Sequence, residues 1–138
     1  MCWAFGLFRD DYVAKHTDRA LAITSLGKKR YYSALKYATA VVGNSSSGLV
    51  EAPSFNIPTL NIGNRQLGRT RAETVVDVPA TLEGIREGLR MVLSPKFIEK
   101  IKDAVNPYEK ENTIENIFNI IKTYPLEGLI QKTFYNLK

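Results

Sequence analysis

The stretch Val41–Arg69, VVGNSSSGLVEAPSFNIPTLNIGNRQLGR, decides the fold. Ala40–Val42 is a short apolar run, read as a buried strand. Gly43-Asn44-Ser45-Ser46 is a loop. Ser47–Ala52 starts a helix that Pro53 limits, because proline removes an interior helical hydrogen bond. Thr59–Ile62 is the next apolar run, read as a second strand. Strand, loop, helix, strand within so few residues is the spacing of a βαβ unit, and such units build parallel sheets.

Working outward, the alternation continues. Upstream, Phe8–Thr17 reads as a short helix with Phe8, Tyr12 and Val13 on one face. Arg19–Thr24 (RALAIT) reads as a strand and Ser25-Leu26-Gly27 as a turn. Lys28–Ala38 reads as a helix with Tyr31, Leu35 and Ala38 in one stripe. Downstream, Val75–Val78 reads as a strand. Thr81–Leu93 reads as an amphipathic helix, N-capped by Thr81 and with Glu83 in its first turn. Pro95–Ala104 reads as a helix opened by proline. Asn112–Thr123 reads as a helix carrying Ile114, Ile117, Phe118 and Ile121 on one side, and Leu126–Leu137 as a last helix. The expected fold class is therefore α/β: a Rossmann-like parallel sheet of at least about four strands with helices on both faces.

The bulk properties suit one domain spanning residues 1–138. A chain of this length buries roughly two thirds of its unfolded surface and needs no staples. The hydrophobic fraction of 44% is ordinary. Cys2 is the single cysteine, so no internal disulfide forms, which fits a reducing compartment or simply no redox role; the expected location is cytoplasmic. No apolar run approaches the roughly 20 residues of a membrane helix. The opening MCWAFGLF lacks the basic region of a signal peptide. The net charge of +5 is spread along the chain and mixed with acids, which disfavours a nucleic-acid surface. The exception is a local group, Arg65, Arg69 and Arg71, beside the serine loop.

In parallel sheets the ligand crevice lies outside the carboxyl ends of the strands. The serine loop sits at such an end, directly before a helix. Backbone N–H groups at a helix start, the hydroxyls of Ser45, Ser46 and Ser47, and the open backbone at Gly48 describe a cradle for a phosphate or diphosphate. The competing reading is an ordinary helix cap, for which one serine suffices. Glu51 lies one turn beyond Ser47. It suits a vicinal diol such as that of ribose, or else it is a solvent-facing carboxylate. Arg65, past the next strand, suits a phosphate as a charged donor. Neither GxxxxGK[ST] nor GxGxxG occurs, which argues against a triphosphatase or a dinucleotide reader. His16, the only histidine, sits on a charged helix face and reads as a surface residue.

The run VVGNSSSGLVEAPSFNIPTLNIGNRQLGRTRAETVV, with SLGKKRYYSALKYA upstream and NPYEKENTIENI downstream, resembles the UDP-N-acetylglucosamine 2-epimerases, in particular the hydrolysing type of sialic-acid and related pathways. The resemblance covers about residues 9–121, leaving 122–138 as a tail. It implies the second of two Rossmann-like domains in a GT-B arrangement, with substrate in the cleft between them. By position it implies that Ser45 and Ser46 contact the diphosphate, Glu51 the ribose hydroxyls and Arg65 the nucleotide. Ser25, Leu26 and Gly27 match the loop beside the uracil, and Ser47 and Gly48 lie close by. The expected ligand is UDP or UDP-N-acetylglucosamine, with no cofactor, metal, nucleic acid or membrane. The family's reaction breaks the C1–O bond and removes the C2 proton. The resemblance places the catalytic carboxylates in the first domain and the histidine well upstream of the serine loop. This chain is therefore expected to carry no catalytic residue and to be inactive alone. Its expected partners are a missing N-terminal domain or further copies of itself. The alternative is a non-catalytic UDP-sugar-binding or regulatory module.

Four positions depart from the family pattern. Asn56 stands where glycine is usual, and asparagine tolerates a left-handed backbone, so the turn is expected to survive. Asn64 replaces an aspartate beside Arg65. Glu109 and Glu111 replace glycines in the NPYEKEN loop; if those positions demand positive φ, the loop must change shape.

Overall fold

A computed structural model describes residues 3–128. Ten elements follow in order: α1 Trp3–Lys15, α2 Gly27–Tyr37, β1 Val41–Gly43, α3 Ser47–Val50, a 3₁₀ turn Ala52–Phe55, β2 Thr59–Ile62, β3 Val75–Val78, α4 Leu82–Val92, α5 Pro95–Lys100 and α6 Thr113–Thr123. The strands form one parallel sheet in the order β1-β2-β3. Val41 pairs with Thr59, and Thr59 with Val75. The α/β class read from the alternation is the observed one.

Two glycines show that helices cover both faces. A Cβ at Gly48 of α3 would sit 2.6 Å from Thr59 Cγ2, so α3 lies on the Thr59 side of β2. A Cβ at Gly88 of α4 would sit 2.5 Å from Leu60 Cδ1 and 2.8 Å from Val78 Cγ1. Successive strand residues point to opposite faces, so α4 lies on the other side. Glycine at each point lets the helix approach the sheet closely. Leu49, Leu60, Val92 and Ile101 are fully buried. A separate cluster of Leu35, Ala52 and Ile57 is closed by Tyr31, Tyr32, Val41 and Phe55.

The helix ends follow their sequence signals. Thr81 Oγ1 accepts from Gly84 N at 3.1 Å, as its N-cap position requires. Ser94 caps α5 by accepting from Phe97 N at 3.2 Å, with Pro95 in the first turn. Asn56 takes the left-handed conformation, φ 50° and ψ 35°, so asparagine does replace glycine there. Its Nδ2 donates to Lys102 O at 2.6 Å.

Several expectations are corrected. RALAIT forms no strand: residues 20–23 are irregular, with Leu21 80% and Ile23 49% exposed. Strand conformation needs a paired neighbour and a covered face, and this segment has neither among the described residues. The described sheet therefore has three strands, not four. The helix read over Ser47–Ala52 stops at Val50, and Pro53 sits inside the following 3₁₀ turn rather than beyond a helix. Pro95–Ala104 is helical only to Lys100. Neither Glu109 nor Glu111 has positive φ; the left-handed residue of that loop is Asn112, at φ 54°. The helix read over 126–137 lies mostly outside the described residues, and 126–128 are not helical. α6 is exposed along its whole length, its apolar residues included: Ile114 is 85% and Ile121 70% exposed.

Candidate functional site

The serine loop leaves the carboxyl end of β1. Ser46 begins α3 with φ −60° and ψ −24° and makes no side-chain cap. The start of α3 is instead held by backbone bonds, Leu49 N and Val50 N to Ser46 O, both at 3.0 Å. Ser45 Oγ accepts only a long bond, 3.4 Å, from Ser47 N. The Ser46 hydroxyl is thus not consumed by helix capping, whereas Ser45 makes a long cap-type bond at the start of α3. α3 is a single turn, so its dipole is small, and any anion held there depends on local N–H and O–H donors. Gly48 is buried, and its missing Cβ lets α3 pack closely on Thr59.

Three cavities surround this loop and the strand ends. One, of about 530 Å³, is bounded by Ile23, Thr24, Ser25, Leu26, Gly27, Lys28 and Tyr31. The Ser25-Leu26-Gly27 turn forms its wall, with Gly27 N donating to Ser25 Oγ at 3.4 Å. The Tyr31 hydroxyl then hydrogen-bonds Ser47 Oγ and joins this cavity to the serine loop. A second, of about 400 Å³, holds Glu51 with Tyr32, Ser54, Phe55, Asn106, Tyr108 and Glu109. Glu51 is half-buried, and its Oε2 is shielded from solvent without a hydrogen-bond partner. A buried polar oxygen calls for a hydrogen-bond partner. Glu51 is therefore only partly solvent-facing. The third cavity, at the ends of β2 and β3, includes Asn64, Leu67, Arg71 and Asp77.

The segment after β2 is tied to the serine loop by a buried side chain. Gln66, 3% exposed, donates from Nε2 to Asn44 O at 2.8 Å. Arg65, its neighbour, is exposed and makes no ion pair among the described residues. Arg69 is exposed as well. Arg71 is different. Its Nε lies 2.5 Å from Asp77 Oδ2, and its other nitrogens donate to Arg69 O and Gln66 O. Asp77 also accepts from Asn61 Nδ2 at 2.6 Å, because the parallel register sets Asn61 beside Asp77. Arg71 is thus a strut of the loop and leaves the expected phosphate group.

The sequence-predicted residues consequently fall in two zones. Ser25, Leu26 and Gly27 reach the serine loop through Tyr31, and Arg65 through Gln66. Glu51 opens on the adjoining cavity on the Tyr32 side. Tyr31 and Gln66 were missed by sequence reasoning. Tyr31 had a signal: a tyrosine in a core stripe must still place its hydroxyl on a partner. His16 closes α1, half-buried, with its ring 4.3 Å from that of Tyr12 and Nδ1 3.0 Å from Arg19 Nη2.

The family model described as UDP-N-acetylglucosamine 2-epimerase matches residues 8–122. The chain belongs to the UDP-N-acetylglucosamine 2-epimerase family. It is 41% identical over 116 residues to the polysialic acid biosynthesis protein P7 of Escherichia coli, covering 83% of this chain and 30% of that protein. It is 38% identical over 108 residues to the hydrolysing UDP-N,N'-diacetylbacillosamine 2-epimerase of Legionella pneumophila, covering 78% and 28%. A third relative is the hydrolysing GDP/UDP-N,N'-diacetylbacillosamine 2-epimerase of Campylobacter jejuni, at 33% over 128 residues, covering 92% and 33%. The chain thus spans about a third of the length of these relatives, in their C-terminal region. The family assignment agrees with the observed parallel α/β sheet. Among the described residues no helix is long and apolar enough to cross a membrane.

Proposed function

We propose that this chain is the nucleotide-binding part of a UDP-sugar 2-epimerase acting in amino-sugar or sialic-acid synthesis. UDP binds with its diphosphate at Ser45 and Ser46, its ribose diol on Glu51, its base beside Ser25, Leu26 and Gly27, and Arg65 neutralising phosphate. The observation that carries this reading is the Ser46 hydroxyl left free of helix capping, together with a Glu51 carboxyl oxygen that has no hydrogen-bond partner. Hydroxyl donors for an anion and an acceptor for a diol are the two things a nucleoside diphosphate requires. The relatives' names supply the substrate class. The family's two-domain cleft implies that the remaining walls of the site come from elsewhere, so affinity in this chain alone is weak.

Calorimetric titration with UDP tests the reading. Arg65→Ala removes a charged hydrogen bond, which is about 1.5–3 kcal/mol, or about ten- to a hundredfold in affinity. Equal affinity in parent and variant removes Arg65 from the site. No binding by the parent at millimolar UDP removes the site itself.

A further inference from the structure

The Tyr31 side chain belongs to two places at once. Its ring forms a wall of the cavity bounded by Ile23–Lys28. Its hydroxyl meets Ser47 Oγ, a residue distant in sequence, in a half-buried contact. The ring cannot swing freely, because it packs on the Leu35, Ala52 and Ile57 cluster and lies 6.2 Å from the Tyr32 ring. The position of the phenol oxygen is therefore set by the core, and that oxygen in turn fixes the rotamer of Ser47.

We infer that Tyr31 is a positioning residue that couples the base-binding loop to the serine loop, so that the two halves of a nucleoside diphosphate are bound cooperatively. The inference rests on the nucleotide reading above. A phenol is a better donor than an alkyl hydroxyl, so Tyr31 donates and Ser47 accepts. Ser47 then keeps its own proton for an anionic oxygen, and hydrogen bonds in series strengthen one another. A base that presses on the Tyr31 ring and a phosphate that accepts from Ser47 each hold the same bond in place. A phenylalanine at position 31 would fill the core equally well and would leave Ser47 free to rotate.

The test is a double-mutant cycle on UDP affinity, using Tyr31→Phe, Ser47→Ala and their combination in the full chain. Both substitutions retain the buried volume. Titrations are made well below the melting transition of each variant. The expected result is that each single variant binds UDP about five- to tenfold more weakly, as for the loss of one hydrogen bond. The double variant is expected to bind no more weakly than the worse single one, because the two residues act as one unit. Additive losses overturn the inference. So does a lowered melting temperature with unchanged UDP affinity, which would make the bond structural only. If the parent itself fails to bind UDP, the nucleotide reading falls first and takes this inference with it.

Discussion

The isolated chain is expected to release no UDP from UDP-N-acetylglucosamine and to yield no epimerised sugar. The chemistry of the family requires a proton to leave C2 as the C1–O bond breaks, and a positioned base must take it. The residues around the serine loop are committed elsewhere. Glu51 is assigned to the ribose diol. Glu109, on the same cavity, accepts from Ser54 Oγ at 2.7 Å. His16 is held at the end of α1 against Tyr12 and Arg19. A diphosphate cradle helps a leaving group depart and does nothing for the C2 proton. General acid and base groups contribute about 10²–10⁴-fold each, so their loss takes the rate below detection. A coupled assay for UDP, with proton NMR of the sugar, reads both products. Supplying the remainder of an epimerase in trans is expected to restore some turnover. Robust UDP release by this chain alone, lost in His16→Ala, would make His16 the base and overturn the assignment.

Leu60→Ala is expected to destabilise the domain by about 2–5 kcal/mol, a large part of the 5–15 kcal/mol typical of such domains. Leu60 is fully buried in the central strand. It faces α4, where its two methyls lie under Gly88. Because Gly88 has no side chain, nothing on the helix can move in to fill the space, so the cavity persists. Urea denaturation measures the effect as a lower midpoint at unchanged slope. A loss under about 1 kcal/mol would mean that α4 collapses onto the sheet and that the close helix–strand approach is soft.

What the sequence disclosed depended on whether a signal was local. β2 and β3 have the same bounds in the sequence reading and in the structure, since short apolar runs between Pro, Gly and polar residues leave little choice. The Thr81 cap was equally legible, because a cap is a contact three residues long. RALAIT misled because a short apolar run between polar residues has the look of a strand, yet a strand is made by its neighbours. The same limit explains Arg71. Nothing near it in sequence announces Asp77, which reaches it only through the parallel register of β2 and β3. Ser45, Ser46, Glu51 and Arg65 could be picked out as chemistry from residue types and as a set from the resemblance. The Tyr31 and Gln66 bridges that tie the loops together are long-range, and no spacing rule reaches them.

The loop after α5 is sewn to the rest of the domain by side chains, not by secondary structure. Asn56 donates to Lys102 O, and Asn106 donates to Val50 O at 2.8 Å and to Ser54 Oγ at 2.7 Å. Tyr108 N in turn donates to Asn106 Oδ1 at 3.0 Å, and the Tyr108 hydroxyl donates to Thr70 O at 2.9 Å. These stitches join segments that follow β1, β2 and α5. In hydrogen-exchange terms, the loop therefore has no private opening mode. The amide proton of Tyr108 becomes available to solvent only when α3 and the 3₁₀ turn release Asn106, so it exchanges with that unit despite lying in a loop. The amides of α6, on a helix with no buried residue, belong to a separate and shallower opening. Hydrogen exchange is therefore expected to be slower at Tyr108 than along α6, an inversion of regular structure and kinetic protection across Asn112.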